Sequence, residues 1–334
     1  LGDVYKRQIL ENGEKSKYRD WYFIDGFPLK SEWGEIPNFK CFGYYGGMPK
    51  LNLKNPEVEK YITDVACYWI KECDIDGWRL DVGDEISHFF WKNFRKAIKA
   101  VKKDMLIIGE IWHYAGDFLE GDEWDTVMNY PFYLNLIDLL ADEKINVSQF
   151  VQNLGYLKGR LNKKCYPLMW NLIDSHDTAR FLHLCHDNKK KQHLAAAFQL
   201  LMPGMPMVYY GDEYAMPGAN DPDCRRGMYW DEEYQDKEMY EWYKRLIQVR
   251  KSHACIVEGE LAGSVTEDEE GTIVLIRKNG EETIAMIFNC SSSAKKFNEY
   301  TQKYNLLTEN TFDGNVEAVS YTHLRAHETL MNLV

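Results

Sequence analysis

Residues 74–113 read DIDGWRLDVGDEISHFFWKNFRKAIKAVKKDMLIIGEIWH, and their order decides the fold. Asp74 to Asp81 is short, apolar and punctuated by Gly77, the pattern of a buried strand. From Ser87 to Lys103, Phe90, Phe94, Ala97, Ile98 and Val101 recur on one face of a helix. Met105 to Gly109 is a second apolar run of strand length. Strand, helix and strand in succession predict a parallel sheet with helices against it.

The same alternation extends outward. Upstream, Asn55 can cap a helix and Pro56 suits its first position, with Val58, Tyr61, Ile62, Val65 and Trp69 following at helical spacing. Downstream, strand-like segments at Trp124–Met128, Leu168–Ile173 and Met207–Tyr210 are separated by helical stretches such as Leu194–Met202. After Ala254 the rhythm changes. Thr272–Arg277 and Glu282–Asn289 alternate as strands around Asn279-Gly280, a strong hairpin signal, so a small antiparallel domain is expected at residues 255–318. LGDVYKRQ at residues 1–8 and the stretch 319–334, which contains VSYTHLRAHET, resemble translated adapter sequence. Both are set aside as non-native tails expected to be loosely attached.

Composition narrows the function. The 334 residues carry 40 Lys and Arg against 52 Asp and Glu, a net charge of -12, which repels phosphate backbones and anionic lipid. Neither nucleic acid nor a membrane is an expected partner. The most apolar stretch, Leu194–Tyr210, is interrupted by Gln199, Pro203 and Pro206, so no span is predicted. Eight scattered cysteines favour free buried thiols and a reducing compartment, taken here as bacterial cytoplasm. Aromatic residues reach 14%; their flat faces suit sugar rings, although core packing accounts equally for most of them.

In parallel barrels the chemistry lies at the carboxyl ends of strands. Three strands end in polar residues. In DGWRLD, Arg79 and Asp81 are two apart and share a face, so the guanidinium would keep Asp81 ionised, as a carboxylate nucleophile requires; a structural ion pair explains the motif as well. In IIGEIWH, Glu110 ends the next strand. Such a Glu is most often a solvated loop residue, but a strand end beside that of Asp81 suits a general acid. In NLIDSHDTARFL, His176 and Asp177 follow Leu172-Ile173; a capping Asp beside a surface His is the plainer reading there.

Taken together, MPKLN (residues 48–52), DGWRLD, GEIWH, SHDTARFL and YYGDEYAMPGANDPDCRRGMYW (residues 209–230) closely resemble the α-amylase family of glycoside hydrolases, family 13. MPKLN, GEIWH and the DPDCRR stretch look most like its neopullulanase, cyclomaltodextrinase and maltogenic amylase subgroup. The similarity runs over about residues 9–318. It implies an α/β fold, a (β/α)8 TIM barrel lacking its first three strands, followed by a small C-terminal antiparallel β-sandwich. Residues 9–50 would be the remainder of domain B and residues 51–254 barrel strands four to eight.

The resemblance further implies that Asp81 is the nucleophile, Glu110 the acid/base and Asp177 a third carboxylate that binds sugar hydroxyls at an oxocarbenium-like transition state. Arg79 would position Asp81, His176 would contact the sugar before the scissile bond, Trp112 would lie on the leaving-group side, and Asp221 and Arg225 would grip glucose further along. Glu85 is a substrate-binding candidate, although Gly83-Asp84-Glu85 stands where the subgroup has Ala-Asn-Glu. Phe42, Tyr44 and Tyr45 either face substrate or pack within domain B. The expected substrate is an α-glucan oligosaccharide or polysaccharide. Hydrolysis leads; transglycosylation or isomerisation through the same intermediate, or a non-catalytic relative, are the alternatives. No cofactor or metal site is expected within these residues, whereas calcium and homodimerisation would belong to the full-length protein. The family's Asn-His pair is absent, so the chain alone is not expected to be a competent enzyme.

Overall fold

The structure is a computed structural model that describes residues 2–30 and 36–326. Residues 31–35, inside the expected domain B remnant, and residues 327–334 of the expected tail lie outside the described residues, as does Leu1. Two compact units emerge, residues 1–111 with 117–127 and residues 112–116 with 128–334.

The first unit holds helices α1 (Gly2–Asn12), α2 (Pro56–Cys73) and α3 (His88–Val101) and strands β1 (Gly77–Leu80), β2 (Leu106–Gly109) and β3 (Thr126–Val127). Helix α2 starts where expected. Asn55 accepts from the Glu57 amide and Pro56 occupies the first turn, and the helix stops at Asp74 in a left-handed conformation (φ 48°). Ser87 caps α3, whose buried face is Phe90, Trp91, Phe94 and Ile98; Val101, expected on that face, is exposed at the last turn. The three strands form a parallel sheet in the order β1-β2-β3, with Gly77 opposite Leu106 and Leu80 opposite Gly109. A Cβ on Gly109 would fall 2.3 Å from the Trp124 ring, so only glycine lets that indole cover the sheet. Residues 13–30 and 36–55 are largely irregular, joined by the bridges Tyr22–Leu51, Ile24–Phe39 and Cys41–Pro49 around a core of Ile9, Trp21, Tyr22 and Val58.

The second unit contains helices α4 (Tyr130–Leu140), α5 (Val147–Arg160), α6 (Phe181–Leu184), α7 (Lys189–Leu201), α8 (Lys237–Ser252) and α9 (Ala254–Glu258). Its short strands β4 (Trp170–Asn171) and β5 (Met205–Pro206) pair in parallel, and Met128 bridges Trp170 in the same sense. The strand anticipated at Met207–Tyr210 therefore begins earlier, at Met205. Beyond Pro206 the backbone turns toward the left-handed Gly211.

The remaining strands are β6 (Glu260–Glu267), β7 (Thr272–Asn279), β8 (Glu282–Asn289), β9 (Lys295–Lys296), β10 (Tyr304–Asn305), β11 (Asn310–Thr311), β12 (Asn315–Val316) and β13 (Ser320–Ala326). Six of them make an antiparallel sheet in the order β11-β10-β13-β8-β7-β6, and β9 pairs with β12. Gly280, at φ 59°, supplies the hairpin turn predicted between β7 and β8. Phe198 of α7 stacks on Phe288 of β8 at 4.1 Å, so the sheet and helix α7 share one core. That contact explains why the compact division falls near residues 111–128 and not at residue 254.

Both tails depart from expectation. The backbone of residues 2–12 is helical, with Ile9 buried. Residues 320–326 form the central strand β13, paired with β8 along its whole length and burying Tyr321, His323 and Leu324, so the antiparallel region runs past residue 318. The strand is buried on both faces, with Tyr321 and His323 on one and Thr322 and Leu324 on the other.

Candidate active site

Asp81 and Glu110 stand directly after adjacent parallel strands. Because Leu80 is level with Gly109, the residues that follow emerge side by side. Arg79 joins them. Its Nη1 lies 2.5 Å from Asp81 Oδ1 and its Nη2 3.2 Å from Glu110 Oε2. The two acids differ in surroundings: the Asp81 side chain is 76% exposed and that of Glu110 only 6%.

Backbone strain completes the arrangement. Val82 has φ 46°, a region a β-branched residue rarely occupies, and this turns its amide onto Glu110 Oε2 at 2.8 Å. The Gly83 amide donates to the Glu110 carbonyl at 3.2 Å, and the Gly83 carbonyl accepts from the Trp91 indole at 2.9 Å. Glu85, a substrate-binding candidate, instead accepts from the Gly43 amide at 3.2 Å and forms an ion pair with Lys50 of MPKLN. It ties the irregular segment to the turn after the nucleophile candidate. Lys50 also lies over the Phe42 ring at 4.9 Å, while Tyr44 and Tyr45 are exposed.

In the second unit Arg225 is the organiser. Its Nε donates to the His176 carbonyl at 2.8 Å and lies 2.9 Å from Asp221 Oδ1, and its Nη2 reaches Asp177 Oδ1 at 3.1 Å. The His176 Nε2 stands 3.1 Å from the other Asp177 oxygen. Four of the predicted site residues are thus one hydrogen-bonded cluster. Trp112 stacks on the buried Tyr130 at 3.9 Å and is partly exposed.

Three residues that sequence reasoning passed over lie beneath this cluster. Asp174, Arg180 and Asp212 are buried, with Arg180 Nη1 3.2 Å from Asp212 Oδ1. Burial pushes both carboxyl groups up from the usual range, and the neighbouring Asp174 adds to the rise at Asp212. Asp174 and Arg180 sit within or beside a quoted motif, yet their inward direction is not a local sequence property. Among the described residues no group of three or more His, Cys, Asp and Glu side chains could hold a metal ion, and no helix is long and apolar enough to cross a membrane.

The family model of the alpha amylase catalytic domain matches residues 3–259. The chain belongs to the alpha-amylase family. It is 44% identical to a cyclomaltodextrinase from Geobacillus thermopakistaniensis over 288 residues, covering 86% of this chain and 49% of that protein. An intracellular maltogenic amylase from Bacillus subtilis is 41% identical, covering 85% and 47%, and neopullulanase 2 from Thermoactinomyces vulgaris is 40% identical, covering 85% and 48%. This family member spans about half the length of the curated relatives it matches. Among solved structures, a cyclomaltodextrinase superposes with a TM-score of 0.87 at 35% identity over 97% of this chain and 56% of its own. A cyclic alpha-maltosyl-(1→6)-maltose hydrolase from Arthrobacter globiformis does so at 0.86 and 30%, covering 96% and 71%. The membership implies a TIM-barrel catalytic domain, to which the parallel strand and helix order conforms.

Proposed function

We propose that this chain carries the catalytic groups of a retaining glycoside hydrolase that cleaves α-1,4-glucosidic bonds in cyclodextrins, pullulan, maltooligosaccharides or starch. One observation carries the reading: a single guanidinium, Arg79, holds an exposed carboxylate and a buried carboxyl on neighbouring strand ends. Asp81 attacks the anomeric carbon as Glu110 protonates the departing oxygen. Glu110 then takes a proton from water as it breaks the glycosyl ester. Glu110 Oε2 accepts from the Val82 amide and faces Arg79, which fixes the direction of its carboxyl group. Asp177 and His176 contribute sugar contacts, fixed by Arg225 and Asp221, and the indole of Trp112 suits packing against the leaving-group sugar. Glu85 acts through its hold on Lys50.

On this reading the five short parallel strands are the fourth to eighth of a (β/α)8 barrel, and the antiparallel sheets form a C-terminal sandwich. The net charge of -12 favours neutral glucan over nucleic acid or anionic membrane. A bacterial cytoplasmic setting accords with eight free cysteines and with a relative named as intracellular. Calcium binding and homodimer formation are assigned to the full-length protein.

The test joins this whole chain to the N-terminal half of the cyclomaltodextrinase relative and treats the hybrid with a fluorinated maltosyl donor that traps glycosyl esters. Peptide mass spectrometry should find the sugar on Asp81, with retained anomeric configuration in turnover. Inversion, or an ester on another residue, would overturn the assignment.

A further inference from the structure

Residues 174–181, DSHDTARF, form a closed loop with His176 and Asp177 at its crest. The Phe181 amide donates to Asp174 Oδ2 at 2.8 Å, joining the ends. Inside the loop, the Ser175 amide donates to Thr178 Oγ1 at 2.9 Å and the Asp177 amide to Ser175 Oγ at 3.1 Å. Arg180 anchors it. Its amide donates to the Gly218 carbonyl at 2.9 Å, its guanidinium pairs with Asp212, and its charge lies over the Tyr209 and Tyr210 rings at 4.5 and 4.9 Å.

One feature of this anchor needs explaining. Asp174 Oδ1 and Asp212 Oδ2 are both buried with no hydrogen-bond donor. Two carboxylates only accept, so neither oxygen can be satisfied by the other unless one of them carries a proton. Charge leads to the same result. The groups facing the pair are Glu213, Tyr209 and Tyr210, Tyr243 of α8, Tyr133 of α4 and the Gln192 amide of α7, and Arg180 is the cation that pairs with it. Two anions against one cation leave a net buried charge; one proton removes it.

We propose that Asp174, Arg180 and Asp212 are positioning residues for His176 and Asp177, and that they act through one proton shared by the two buried carboxyl groups. The proposal rests on the glucan reading only for what Asp177 touches. Burial raises both carboxyl groups, so the protonated pair stabilises the fold most at low pH, and that contribution is lost as pH rises through their folded-state titration. High pH should therefore loosen the loop.

Asp212→Asn supplies an amide N–H in place of the shared proton, whereas Asp212→Ala supplies nothing. The experiment uses the whole chain with three readouts: the infrared band of a protonated carboxyl group at neutral pH, the imidazole NMR signal of His176, and maltotriose affinity by calorimetry. The native chain should show the band, and Asp212→Asn should lose it. Asp212→Asn should keep the His176 signal and the affinity within about threefold, without the native decline at high pH. Asp212→Ala should shift the signal and weaken binding by roughly tenfold or more, the effect of leaving a buried acceptor without its donor. Absence of the band in the native chain, or an unmoved His176 in Asp212→Ala, would overturn the proposal. If the native chain ignores maltotriose while the band and the His176 signal behave as stated, the positioning role stands; the glucan reading fails if the hybrid ignores maltotriose as well.

Discussion

Two of the clusters that set two carboxyl groups around one arginine, those of Arg79 and Arg180, have opposite properties. At Asp81, Arg79 and Glu110, one acid is 76% exposed and water can solvate what the guanidinium does not neutralise. At Asp174, Arg180 and Asp212, every charged side chain is buried, so the same stoichiometry forces a proton into the cluster. Solvent access decides whether a carboxyl group is available for chemistry or committed to structure.

The sharpest way to break the contrast is Asp81→Asn in the hybrid. Turnover should fall by a factor on the order of 10⁴ to 10⁶ while the unfolding transition stays in place, because the lost group is mostly solvated. Kinetics beside a melting curve check both halves; a loss under about tenfold would remove Asp81 from the mechanism.

A second comparison exchanges the two arginines in turn. Arg180→Leu strands buried carboxyl groups and should cost about 3–5 kcal/mol of stability in denaturant titration of the chain. Arg79→Leu should cost less folding free energy, since Asp81 remains in water, but should abolish activity in the hybrid. Equal stability losses would erase the distinction between the clusters.

The smallest effect is expected at Lys60–Asp64 on α2, an ion pair whose side chains are 75% and 62% exposed. Removing either partner should change stability by no more than about 0.5 kcal/mol. A larger change in the same titration would mean that exposure is a poor guide to electrostatic worth in this protein.

Much of this was legible beforehand because it is local. Asn55-Pro56 starts a helix wherever it lies, the apolar runs before Asp81 and Glu110 extend, and Asn279-Gly280 turns a hairpin, since each outcome depends on a few adjacent dihedral angles. Residues 320–326 were misjudged for the complementary reason. Their resemblance to adapter sequence says nothing about pairing, and an extended segment meeting the open edge of β8 completes its hydrogen bonds there.

By itself, then, the amino-acid sequence determined the parallel strand and helix order, the C-terminal hairpin, the family resemblance and the identity of the three carboxylates carried by its motifs. Only the tertiary structure decided that Arg79 serves Asp81 and Glu110 together, that Glu85 is bound to Lys50, and that Arg225 gathers Asp221, Asp177 and His176. It alone placed Asp174 and Asp212, far apart in the chain, against each other in the dark. The reason is physical: spacing along a chain specifies backbone conformation, whereas burial, and with it the protonation of a carboxyl group, depends on which distant segments exclude water from it.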